Sequence, residues 1–92
     1  MRKKLSREEI NKRFEEAVQI FKEIANNKQT PKNIRKAAEE VITILNDEKL
    51  SPAARVANVI SVIEGMAYDP NTPIFVRMKA WKVVSMLEPI RD

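Results

Sequence analysis

Three Ser/Thr-Pro dipeptides, Thr30-Pro31, Ser51-Pro52 and Thr72-Pro73, divide this chain into segments that all carry one kind of pattern. Proline lacks an amide hydrogen and holds φ near the helical value. Inside a helix it breaks the ladder, but at the first helical position its missing donor had no partner anyway. A Ser or Thr just before it offers a capping hydroxyl. Each dipeptide therefore reads as the start of a helix, with Thr30, Ser51 and Thr72 as caps and the prolines at the first helical position.

The stretches that follow confirm the period. After Ser6-Arg7-Glu8-Glu9, a capping box in which hydroxyl and carboxylate exchange bonds with backbone donors, apolar residues recur at Ile10, Phe14, Ala17, Val18, Phe21 and Ile24. Glu8–Lys12 and Glu9–Arg13, four apart in the favourable order, occupy the opposite face. Ile34, Ala38, Val41, Ile42 and Leu45 form the second stripe, and Val56, Ala57, Val59, Ile60, Val62, Ile63 and Met66 the third. The fourth runs through Val76, Ala80, Val83, Val84 and Leu87 to Pro89. This is helical spacing throughout. A single glycine, Gly65, argues against hairpin-rich strand folds. The expectation is four helices over about 6–26, 31–46, 52–68 and 73–88, no strands, and a disordered basic tail over residues 1–5. At 92 residues there is room for one domain.

Displaced by 42 residues, the sequence falls on itself. Thr30-Pro31 lands on Thr72-Pro73, Ile34-Arg35 on Val76-Arg77, Ala38 on Ala80 and Leu45 on Leu87. The shared Thr-Pro-x-x-(Ile/Val)-Arg-x-x-Ala over residues 17–45 and 59–87 resembles HEAT-type helical repeats, whose hairpins have about this period. The fold class expected is all-α: a four-helix bundle of two HEAT-like helical hairpins. A second resemblance rests on Asn46 to Glu88, through Asp-Glu-Lys-x-Ser-Pro-Ala-x-Arg and Asp-Pro-Asn-x-Pro. These segments resemble a family of short archaeal all-helical proteins of uncharacterised function. That resemblance implies an archaeal, cytoplasmic, helical protein and assigns it no activity.

The residue inventory narrows the chemistry. There is no cysteine and no histidine, so thiolate metal sites and the usual general base near neutral pH are missing. Glu8-Glu9, Glu15-Glu16 and Glu39-Glu40 are adjacent pairs, and neighbours on a helix diverge by about 100° rather than converging on one atom. No catalytic residue, metal or cofactor is expected. No apolar run reaches the roughly 18 residues needed to span a membrane.

Two surfaces remain as candidates. Residues 1–36 hold 11 Lys/Arg against 5 Glu, and Lys28, Lys32, Arg35 and Lys36 gather at the start of the second helix. They form a candidate polyanion patch, which Arg2, Lys3 and Lys4 would strengthen if they lie nearby. RNA bound there would be held through its phosphates and be strongly salt-dependent. Phe14 and Phe21 fall on the core stripe, so base-stacking platforms are not expected among them. Arg35 and Arg77, equivalent across the repeat, have two readings: a pair of phosphate ligands, or ties from each helix to the turn before it. The second surface is on the fourth helix. Ile74, Met78 and Trp81 form an arc opposite the core stripe, with Phe75 at its edge, where the second helix has Lys32, Lys36 and Glu39. Such an arc is either covered by the N-terminal helix or pairs with a second copy of the chain. The leading expectation is a non-enzymatic protein–protein interaction module that forms a homodimer; an accessory RNA or ribonucleoprotein binder is the alternative.

Overall fold

The computed structural model describes residues 4–92. Four helices follow one another without intervening strands: α1 (Arg7–Asn26), α2 (Lys32–Leu45), α3 (Pro52–Ala67) and α4 (Ile74–Leu87). Each packs antiparallel against the next, and α1 closes the arrangement against α4, so α1 and α3 are diagonal and so are α2 and α4. The apolar stripes of all four helices meet in one shared core, with Phe21, Ile24, Val41, Val59, Ile63, Val76 and Val83 sealed from solvent.

Ser6 caps α1 in the expected reciprocal box: its hydroxyl accepts from Glu9 N–H, and Glu9 Oε1 accepts from Ser6 N–H. Leu5, just before the cap, packs on the core, so the chain is fastened before α1 begins. Ser51 likewise caps α3, accepting from Ala54 N–H with Pro52 in the first turn.

The two Thr-Pro starts are built differently from the expectation. Pro31 and Pro73 themselves occupy the cap positions of α2 and α4, which have no side-chain cap. Thr30 and Thr72 turn backwards: the Thr30 hydroxyl donates to the Ile24 carbonyl (2.8 Å) and the Thr72 hydroxyl to the Met66 carbonyl (2.6 Å). A helix C-terminus leaves its last carbonyls without intrahelical donors. Each of these two carbonyls also accepts from the backbone N–H three residues on, Asn27 to Ile24 (3.3 Å) and Asp69 to Met66 (3.2 Å), so the buried threonine hydroxyl adds a second bond where water has no access. The hydroxyl therefore closes the preceding helix.

All three inter-helix turns share one scheme. Asn27, Asp47 and Asp69 each accept, through side-chain Oδ1, from the N–H two residues ahead (2.8, 3.0 and 2.8 Å). Their carbonyls accept from the N–H three ahead, on Thr30, Leu50 and Thr72. These are Asx turns. Eight residues after each Asx stands an arginine that folds back onto the turn. Arg35 donates to the Thr30 carbonyl (3.1 Å), Arg55 to Leu50 (3.0 Å) and Arg77 to Asp69 (3.2 Å). The 42-residue offset thus contains a shorter unit of one turn and one helix, and Arg55 is its unrecognised middle member. Arg55 also lies 5.4 Å from the centroid of the Phe14 ring, a cation–π distance.

Two further contacts escape the pattern. Ile90, beyond Pro89, folds back into the core at 1% exposure. Arg13 reaches across to the Met86 carbonyl on α4 (2.8 Å).

Candidate interaction surface

Helix α4 has apolar residues on both sides. Val76, Ala80, Val83, Val84 and Leu87 are buried in the core. Ile74, Met78 and Trp81 face outward and are 73, 69 and 45% exposed. Phe75, at the edge of that arc, is half-buried against the core. The structure thus brings together three of the four residues expected on this face and places the fourth at its margin.

The position of α1 explains why the face stays open. Lys79 pairs with Glu23 of α1 at 2.9 Å, and Arg13 of α1 holds the Met86 carbonyl. On a helix projection, Lys79 and Met86 lie on the flank of α4, roughly 90° from the Met78 direction. Helix α1 therefore lies along that flank and leaves Ile74, Met78 and Trp81 uncovered. Of the two burials considered from sequence, cover by the N-terminal helix is not the one the fold adopts. The Lys79 ammonium holds the Glu23 carboxyl below the usual carboxylate range, through their hydrogen bond first and their opposite charges second.

One further apolar side chain went unnoticed. Tyr68, where α3 ends, is 81% exposed. The 42-residue offset would have found it, because its counterpart is Asn26. Every large exposed hydrophobic residue of the second hairpin (Tyr68, Ile74, Met78, Trp81) corresponds to a polar one in the first: Asn26, Lys32, Lys36 and Glu39.

The basic set is less coherent. Lys28, Lys32 and Lys36 are exposed, but Arg35 is half-buried and engaged with the Thr30 carbonyl. Asn33 donates to the Asp69 carboxylate (2.8 Å), which sets a negative charge beside these lysines. Lys4 stands at the far end of α1, whose 20 residues span about 30 Å; Arg2 and Lys3 lie outside the described residues. Among the described residues no three carboxylates gather as a metal site, and no helix is long and apolar enough to cross a membrane.

The resemblance read on Asn46 to Glu88 extends over nearly the whole chain: the model of the uncharacterised protein family UPF0147 matches residues 1–90. The chain belongs to the UPF0147 family. A UPF0147 protein of Sulfurisphaera tokodaii is 42% identical over 80 residues, 87% of this chain and 90% of that one. One from Aeropyrum pernix is 45% identical over 76 residues, 83% and 84% of the two chains. Two crystal structures share the fold. The unknown function protein MMP1188 superposes with a TM-score of 0.85 at 32% identity, covering 99% of this chain and 100% of that one. A UPF0147 protein from Thermoplasma acidophilum gives 0.83 at 31% identity, covering 91% and 99%. UPF0147 relatives are thus found in archaea, and the four-helix architecture recurs in crystals of related sequence.

Proposed function

We propose that this UPF0147 chain is a non-enzymatic helical protein–protein interaction module that associates with itself through the outward face of α4. The observation that carries the reading is the exposure of Ile74, Met78 and Trp81 on one stripe of a well-packed helix. Together they expose on the order of 400 Å² of largely apolar surface, within the range of functional patches on small proteins. Trp and Met are enriched at interfaces, and a small core gains stability by association. A binding role rather than catalysis fits the residue inventory: the chain has no His or Cys, and the buried hydroxyls of Thr30 and Thr72 are committed to backbone carbonyls.

Light scattering at high micromolar concentration tests this. The wild type should have twice the chain mass of 10.6 kDa, and Trp81→Glu should return it to the single-chain mass with an unchanged circular dichroism spectrum. A wild type of single-chain mass at that concentration would sink the reading.

A further inference from the structure

Resting on that reading, we infer that the second copy lies antiparallel on α4, with Met78 of each chain against Trp81 of the other and Ile74 against Ser85. The exposed positions Ile74, Met78, Trp81 and Ser85 are spaced four, three and four residues apart. This is the alternation of a coiled-coil seam, which fits one straight helix laid along α4 rather than a loop or a strand.

The identity of that helix follows from how the seam matches itself. In antiparallel register the two central residues of one copy meet the same two of the other in reverse order, placing a flexible thioether on an indole, a favourable contact. At each end the branched Ile74 faces the small Ser85, the large-on-small pairing that lets layers interdigitate. Burying Ser85 leaves no orphaned hydroxyl, because its Oγ already donates to the Trp81 carbonyl of its own helix (3.2 Å). With Ser85 and the rim residues Phe75 and Lys82, closing the two faces removes about 800–1,000 Å² in all, the size of a weak, concentration-dependent association.

Parallel pairing fits worse on each count. It sets Ser85 against Ser85, which leaves a void, and Trp81 against Trp81, which wedges the helices apart. It also aligns the helix dipoles and brings the exposed Lys28 and Lys32 of both copies to the same end. Antiparallel pairing sends these lysines to opposite ends. Helix α4 carries Arg77, Lys79 and Lys82 and no acidic residue, so separating like charges weighs more here than forming new ion pairs.

The chain has no cysteine and one tryptophan, and the test uses both. Ile74→Cys and Ser85→Cys are made separately, checked for helical content and mass, and oxidised alone and as a mixture. Disulfides require Cβ atoms about 3.5–4.5 Å apart, so only the mixture should cross-link in high yield, as a species with one chain of each mass. Self-cross-linking of each variant alone would show parallel pairing and overturn the inference. Absence of any cross-link in chains that scatter as dimers would show another register or face, and overturn it too. A wild type that scatters as a single chain removes the self-association reading instead, so the two failures are distinct. If the cysteine variants do not fold, wild-type Trp81 still reports. Its emission should shift to the blue and its iodide quenching fall several-fold at the concentration where the mass doubles. An unchanged Trp81 spectrum across that transition would exclude the α4 seam.

Discussion

The buried hydroxyl of Thr30 donates to the Ile24 carbonyl at 2.8 Å, and so joins the end of α1 to the start of α2. Replacing it by valine keeps the shape and removes one of the two donors to this carbonyl, which still accepts from the Asn27 N–H at 3.3 Å. Thr30→Val should cost about 0.5–1.5 kcal/mol, the net worth of one neutral hydrogen bond, and Thr30→Ser should recover most of it. For a domain of this size each kcal/mol corresponds to roughly 4–8 °C in melting temperature. Urea denaturation of the two variants is the check; equal midpoints for Val and Ser would show that the hydroxyl contributes nothing.

Arg35 and Lys36 are neighbours in sequence with different roles. Lys36 is exposed, whereas Arg35 is half-buried and bound to the Thr30 carbonyl. The double charge reversal Lys32→Glu/Lys36→Glu should therefore leave stability within about 0.5 kcal/mol. Arg35→Glu should cost about 1–3 kcal/mol by losing the charge-assisted bond to a carbonyl. If the double variant unfolds and Arg35→Glu does not, the assignment is reversed.

The Glu23–Lys79 pair lies on the surface, so its contribution is small and screened by salt. Lys79 lowers the carboxyl pKa in the folded chain. The unfolded chain consequently binds this proton more readily. The stabilisation is complete above the unfolded pKa and disappears as pH falls through the folded one. Melting curves of wild type and Glu23→Gln should differ slightly near neutrality and converge in acid or in high salt. A gap that widens on acidification would mean the pair is not its source.

Ile90 is 1% exposed although it follows the proline that ends α4. Ile90→Ala should cost about 2–5 kcal/mol, the range for emptying a fully buried branched side chain. An effect below 1 kcal/mol, measured by chemical denaturation, would place the Pro89–Asp92 segment outside the cooperative fold.

Local chemistry is what the sequence determined by itself. The stripes from Ile10 to Ile24 and from Ile34 to Leu45, the Ser6 box and the Ser51-Pro52 start depend on residues within a turn or two of one another. For them pattern and structure agree to within a residue or two. The opposition of Ile74, Met78 and Trp81 to the core face of α4 was equally legible, since helical periodicity alone separates the two arcs. Tertiary packing decided the rest. Thr30 resembles an N-cap by its neighbour Pro31, but the choice between capping forward and closing α1 behind it depends on which backbone groups the fold buries within reach of its hydroxyl. Ile90 joins the core where the end of α4 meets the start of α3, whose Ala53 N–H donates to the Asp92 carboxylate, a meeting that no local signal describes. Whether α1 would cover the outward face of α4 was also beyond periodicity. Burial of the α1 stripe in the shared core sets α1 on the flank, where Glu23–Lys79 and Arg13–Met86, 56 and 73 residues apart in the chain, mark its position.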